Sequence, residues 1–161
     1  VDAVELGGSQ YLKIKEGKIL GQAPQVDLDA ELNLQKAVLK AINDGVIYSA
    51  HDTSEGGVAI ALAEKAIASE NNLGCRIDLG EKPTAGILFG ESQTRVIVSY
   101  NKENVAQLEE ICKEFSVKLK IIGYVEPDKF EIRNYTCEKV SDLRDIYENA
   151  IPQIMAKKLD K

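Results

Sequence analysis

An α+β fold, a mixed sheet with helices packed on it, follows from three features of the sequence. Apolar residues recur at helical spacing in four separate segments, and short β-prone runs lie between them. Hairpin-like pairs of these runs interrupt the alternation, so a doubly wound parallel sheet is not the natural product. The 161 residues are the length of a single domain, residues 1–161, and a chain of this size buries about 70% of its unfolded surface.

Along the chain, Tyr11-Leu12-Lys13-Ile14 alternates enough for a short strand, and Glu16-Gly17 turns it towards Lys18-Ile19-Leu20. Pro24 marks a connector. From Asp29, the residues Leu34, Ala37, Val38, Ala41 and Ile42 share one helical face, which Asn43-Asp44-Gly45 terminates. Val46–Ala50 is a strand that enters the polar loop His51-Asp52-Thr53-Ser54-Glu55-Gly56-Gly57. A second helix follows, with Val58, Ala59, Leu62, Ala63, Ala66 and Ile67 on one face. Cys75–Leu79 is a strand, Gly80–Gly86 a loop, and Arg95–Tyr100 a buried strand through Val96, Ile97 and Val98. Asn101 caps a third helix that turns Val105, Leu108, Ile111, Cys112 and Phe115 inward. Val117–Val125 and Lys129–Arg133 are strands joined by Glu126-Pro127-Asp128, a turn in which Pro fixes φ at the second position. Tyr135–Val140 is irregular or a last strand. Ser141 caps a closing helix with Leu143, Ile146, Tyr147, Ala150, Ile154 and Met155 inward, kinked at Pro152.

Composition narrows the function classes. Hydrophobic residues are 44% and charged residues 29% of the chain, a globular balance. The longest apolar stretch, Val58–Ala63, ends at Glu64 and Lys65, far short of the roughly 18 residues that span a bilayer. Net charge is -6 and no basic cluster exceeds Lys157-Lys158, so neither nucleic acid nor membrane is an expected partner. Three widely spaced cysteines match neither a disulfide framework nor a zinc site; they read as small core hydrophobes, and cytoplasmic localisation fits best. The chain starts at Val1 rather than Met, from which we expect a fragment of a longer protein.

Three segments have the composition to carry chemistry. In His51–Gly57, a strand end and the first amides of a helix meet, and such an N-terminus favours an anion. Gly56 and Gly57 allow close backbone approach, and Asp52 with Glu55 could hold Mg²⁺ that in turn holds phosphate; the competing reading is a helix cap at Thr53 or Ser54. His51, the one histidine, has no assignable nucleophile or orienting acid and reads as structural. Phe89–Arg95 places a carboxylate, a hydroxyl, an amide and a guanidinium before a buried strand, which suits a polar ligand. Its competing reading is a surface turn with a Glu91–Arg95 ion pair. Leu6-Gly7-Gly8-Ser9-Gln10 could cradle phosphate in a nest of amides but lacks any P-loop or dinucleotide spacing.

Taken in order, Leu6–Leu12, Ser49–Glu64, Leu88–Gln93 and Ala150–Met155 resemble the C-terminal part of the large subunit of phosphoribosylformylglycinamidine synthase (PurL), over nearly the whole chain. The resemblance implies the superfamily of aminoimidazole ribonucleotide synthetase, whose C-terminal domain has the α+β fold expected above. It also implies an ATP-dependent carbon–nitrogen ligase of purine biosynthesis, converting formylglycinamide ribonucleotide and glutamine-derived ammonia to formylglycinamidine ribonucleotide. ATP and Mg²⁺ would serve the full-length enzyme; an upstream ATP-binding domain and a glutaminase subunit or domain would be its partners. By analogy between the two halves of the subunit, Glu91, Ser92 and Gln93, with Gly56 and Gly57, match substrate- or phosphate-binding positions, and Asp52 matches a metal ligand. His51 stands where Gln is usual, and Thr53-Ser54-Glu55 where Gly and Ala are common. No catalytic residue falls within these positions, so the fragment alone is expected to be inactive and to self-associate through the Val58–Ile67 face. The rivals are a selenophosphate or aminoimidazole ribonucleotide synthetase type of enzyme and a non-catalytic scaffolding module. If the two polar loops share one cleft, Val46–Ala50 and Arg95–Tyr100 must run antiparallel in one sheet.

Overall fold

A computed structural model describes residues 6–159. The elements are helices α1 (Gln10–Glu16) and α2 (Leu28–Asn43), strand β1 (Ile47–Asp52), helix α3 (Gly57–Ile67), strand β2 (Leu73–Ile77), short helix α4 (Ala85–Phe89), strand β3 (Val96–Tyr100), a 3-10 turn at Lys102–Asn104, helix α5 (Val105–Glu114), strands β4 (Gly123–Pro127), β5 (Lys129–Ile132) and β6 (Thr136–Lys139), and helix α6 (Val140–Leu159). The chain divides into two compact units, one of residues up to Leu62 with Pro83–Ile122, the other Ala63–Lys82 with the residues from Gly123 onward.

In the first unit, β1 and β3 form a two-stranded antiparallel sheet, with Ala50 opposite Val98 and Asp52 opposite Val96. The antiparallel pairing expected for these strands is present, and β1 runs on through His51 and Asp52, which lie in the strand rather than in the loop. Its core gathers Ala37 and Ala41 of α2, Val46 and Ile47, and Leu108, Ile111 and Cys112 of α5. The helical faces read from the sequence for α2 and α5 thus face the core, except for Ile42, which is exposed. Asp27 starts α2 by accepting from the Asp29 and Ala30 amides.

Two expectations fail here. Tyr11–Ile14 is not a strand but lies inside α1, because the Ser9 hydroxyl caps the helix by accepting from Leu12 N and Gly17 ends it at φ 69°. Val117–Ile122 carries no ladder: Val117 and Leu119 pack on the α5 core while Lys118 and Lys120 are exposed, so the period of two records burial rather than strand pairing.

The second unit holds a mixed four-stranded sheet in the order β4-β2-β5-β6, with β2 antiparallel to β4 and parallel to β5, and β5 antiparallel to β6. Glu126-Pro127-Asp128 is therefore not a hairpin turn. Asp128, at φ 53°, carries the chain past the start of β2, its amide donating to Asn72 O at 2.7 Å, and β2 lies between the two strands. The crossing is tight enough that a Cβ on Gly74 would fall 2.0 Å from Lys129 O. Arg144 closes the unit by donating to the Ile67 and Ser69 carbonyls and to Asn72, covering the orphan carbonyls at the end of α3.

Along α6 the apolar residues read as inward face water instead: Ile146, Tyr147, Ile154 and Met155 are exposed. On α3 the reverse holds. Ala59, Ala61, Leu62 and Ala66 are buried, while Ile60 is exposed.

Gly74→Ala is expected to destabilise by more than the about 1–3 kcal/mol typical of overpacking, since backbone rather than a flexible side chain blocks the new methyl; a denaturant midpoint equal to that of the parent would contradict it. Burial pushes the Cys75 thiol up to about 11, the nearby Lys65 opposing the rise. Because the native thiol keeps its proton to higher pH than the unfolded one, stability present below about pH 9 should fall as pH rises towards 11. Thermal midpoints over that range should fall less steeply for Cys75→Val than for the parent.

Candidate functional site

The three polar segments of the sequence meet in the first unit. The start of α3 brings one of them, the start of α1 another, and the loop after α4 the third. What joins them is one oxygen: Glu91 Oε1 accepts from Gln10 N at 2.9 Å and from Gly56 N at 2.8 Å. Two helix starts, each with amides that lack intrahelical partners, thus share a carboxylate supplied from 81 and 35 residues away.

The glycines explain the closeness of approach. Gly57, at φ 65°, lies so near the end of α4 that a Cβ would stand 2.6 Å from Gly90 O and 2.8 Å from Phe89 C. Any side chain would push the start of α3 away from the Glu91 loop. Tyr11 of α1 stacks on Phe89 of α4, ring centroids 5.0 Å apart, so an aromatic contact backs the same junction.

Arg95 shapes the loop from within. Its Nε donates to Ser92 O at 3.0 Å and its second terminal nitrogen to Gly90 O. The Glu91–Arg95 ion pair weighed from the sequence is replaced by these carbonyl contacts. The Arg95 carbonyl in turn accepts from the amide of buried Thr53 at 3.0 Å and from its hydroxyl at 3.2 Å. Burial lowers the pKa of Arg95, though its ordinary value leaves it charged. Thr94, at φ 61°, donates to Glu31 of α2 at 2.8 Å. Together with a hydrogen bond from Gln35, which is the larger cause, this holds the Glu31 carboxyl below its ordinary value.

The geometry divides the expected ligand residues. Glu91 is engaged by the two helix starts, whereas the Ser92 hydroxyl and the Gln93 amide make no hydrogen bond among the described residues, and Gln93 is exposed. Gly56 donates its amide to Glu91, and Gly57 donates to Ser54 O at 3.1 Å. Neither amide points to a preformed phosphate cradle. Gly7 and Gly8 form no such nest either: Gly8 N donates to Leu20 O, and a Cβ on Gly7 would overlap Gln22 O. Fully buried Ser9 binds Leu6 O at 2.6 Å.

Asp52 ends β1 with its side chain 77% exposed, and Glu55 is exposed too. His51 Nδ1 lies 2.7 Å from the Asp52 carbonyl. Among the described residues no three His, Cys, Asp or Glu side chains gather as a metal site would require. One exposed carboxylate does not hold Mg²⁺ unaided, so these residues do not fit a resident ion. The groove lined by Glu109, Cys112, Lys113, Val117 and residues 119–121 contains none of the candidate residues.

The sequence offered Glu91, Ser92 and Gln93 as one group and Gln10 only within the Leu6–Gln10 segment, not as a partner of Glu91; its role is carried by its main-chain amide. The signal available was Ser9, whose capping side chain would have marked Gln10 as the first helical residue.

Residues 2–134 match the family described as AIR synthase related protein, C-terminal domain. The PurL subunit of phosphoribosylformylglycinamidine synthase from Symbiobacterium thermophilum is 44% identical over 127 residues, covering 77% of this chain and 16% of that protein. The chain thus spans about a sixth of the curated relative it matches. Among solved structures, PurL of T. maritima complexed with FGAR is similar with a TM-score of 0.62 at 26% identity, over 74% of this chain and 21% of the other. PurLQS from Thermotoga maritima gives 0.64 at 25%, over 86% and 25%, and the T. maritima PurL complex with ATP 0.63 at 25%, over 74% and 22%.

Removing the shared carboxylate should expose how much the junction depends on it. Glu91→Ala is expected to destabilise by about 1.5–3 kcal/mol, the scale of hydrogen bonds to a charged group, and Glu91→Gln, which keeps a carbonyl acceptor, by less. Equal denaturant midpoints for Glu91→Ala and the parent would show that the two amides find other partners at no cost.

Proposed function

Since the chain belongs to the AIR synthase related protein, C-terminal domain family, we propose that it is the C-terminal domain of a phosphoribosylformylglycinamidine synthase. The observation that carries this reading is the contact between Gly56 and Glu91. It brings together two of the four strings of the resemblance, through residues 35 apart in the chain. The 44% identity to a PurL subunit supports the same reading.

In this reading the full-length enzyme joins glutamine-derived ammonia to formylglycinamide ribonucleotide in purine biosynthesis, in the cytoplasm. ATP supplies the phosphoryl group that activates the substrate amide oxygen. The likeness to PurL structures complexed with FGAR and with ATP supports these two ligands, and the likeness to PurLQS supports a glutaminase partner. An upstream ATP-binding domain completes the cleft; nucleic acid and membrane play no part.

This chain contributes one polar wall. Ser92 and Gln93 offer a hydroxyl and an amide that can donate to or accept from ribonucleotide oxygens. Glu91 fixes where they stand, through the starts of α1 and α3. Gly56 and Gly57 keep the wall thin enough for the loop after α4 to meet the helix. Asp52, exposed at the end of β1, is available to a cation only if phosphate and another domain complete its shell. Phosphoryl transfer depends on positioning from both sides of the substrate, so one wall does not catalyse.

The purified 161-residue chain is therefore expected to release no ADP from ATP with or without formylglycinamide ribonucleotide and ammonia. The full-length protein should turn over, and Gln93→Ala in it should raise KM for the ribonucleotide about tenfold, the scale of one lost substrate hydrogen bond. ADP release by the chain alone, lost in Asp52→Asn, would overturn the one-wall reading.

A further inference from the structure

We propose that Arg95 is a positioning residue of this site, holding the Gly90–Gln93 loop to the end of β1 and the start of α3 so that Ser92 and Gln93 face the ligand. The inference rests on the ligand role of Ser92 and Gln93 proposed above.

Four contacts make the case. The guanidinium forks onto two carbonyls of the loop, Ser92 O at 3.0 Å and Gly90 O. The same residue's carbonyl receives both donors of Thr53, which follows β1 directly. Arg95 therefore grips the loop with its side chain and the Asp52–Gly57 segment with its main chain. Gly90 O, one of the two gripped carbonyls, is the atom that a Cβ on Gly57, at the start of α3, would meet first.

The chemistry of the side chain suits the task. A loop whose carbonyls converge on one point needs a donor with two directed hydrogens, which a planar guanidinium offers and an ammonium does not. Two backbone oxygens held by a half-buried cation fix the φ and ψ angles of residues 90–92, and with them the direction in which the Glu91 carboxylate leaves the chain. Glu91 then reaches Gln10 N and Gly56 N together. Ser92 and Gln93, lacking internal partners among the described residues, are left to a ligand. Arg95 itself touches none of the atoms assigned to the substrate.

The test uses the full-length protein with Arg95→Ala, Arg95→Lys and, as a control of general destabilisation, Leu108→Ala in the α2–α5 core. Hydrogen exchange is followed in peptides covering Gln10 and Gly56, and KM and kcat are measured for formylglycinamide ribonucleotide. Arg95→Ala should speed exchange at both amides and raise KM about tenfold with kcat within about twofold, the size of effect a small misplacement produces. Arg95→Lys should fall between it and the parent, and Leu108→Ala should leave KM unchanged. Unchanged exchange at Gln10 and Gly56 in Arg95→Ala would overturn the positioning role. If Arg95→Ala does not fold, Arg95→Lys decides: parent-like exchange and KM would count against it equally. Faster exchange with an unmoved KM would uphold the positioning and instead discard the ligand role of Ser92 and Gln93.

Discussion

One carboxylate oxygen accepting two backbone amides is the contact on which the first unit's polar junction depends. Gln10 opens α1 and Gly56, 46 residues on, immediately precedes α3, and neither has an intrahelical partner for its amide. Glu91 answers both from a third segment. The glycines at 56 and 57, the fork of Arg95 and the stacking of Tyr11 on Phe89 all follow from the need to bring those segments within hydrogen-bond range. An anion held at paired helix starts is the arrangement proteins use for phosphate; here the protein supplies the anion itself.

That arrangement changes the reading of the Glu-Ser-Gln string. In sequence it is a run of three polar groups of equal standing. In the folded chain its first residue faces inward and its last faces water. The division comes from Arg95, whose contacts bend the loop at Gly90 and Ser92 and so break the alternation that an extended segment would have shown.

Much of the fold was legible because local chemistry agreed with the tertiary outcome. The apolar periods of α2 and α5 mark the faces that gather in the core, and the β-prone runs of β1 and β3 mark the two strands, though residues 48–50 are exposed and β3, expected to be buried, is half-buried. Tyr11–Ile14 misled because four residues do not separate a period of two from one of 3.6; the decisive signal was the cap at Ser9, one residue upstream of the helix. The hairpin expected at Pro127 failed for another reason. A turn signal reports a change of direction, not which strand fills the space beside it, and β2 occupies that space. The exposed row on α6 shows the same limit: helical spacing identifies a stripe, not what covers it. In the site, side-chain types pointed to Glu91, Ser92 and Gln93, whereas main-chain participants such as Gln10 carry no compositional mark.

The placing of β2 between β4 and β5 has a kinetic side. Strand β2 is made early, yet both of its neighbours come after the whole of residues 83–122, which belong to the other unit. Neither unit is a continuous stretch of chain, so neither can be completed in order of synthesis. At roughly 5–20 residues per second, β2 waits several seconds with both edges open. Pairings so distant in sequence also raise contact order, which slows folding through the entropy of closing a long loop. Glu91, Arg95 and Phe89 lie on that intervening stretch, so β2 cannot find its partners until the loop that completes the junction has already been made.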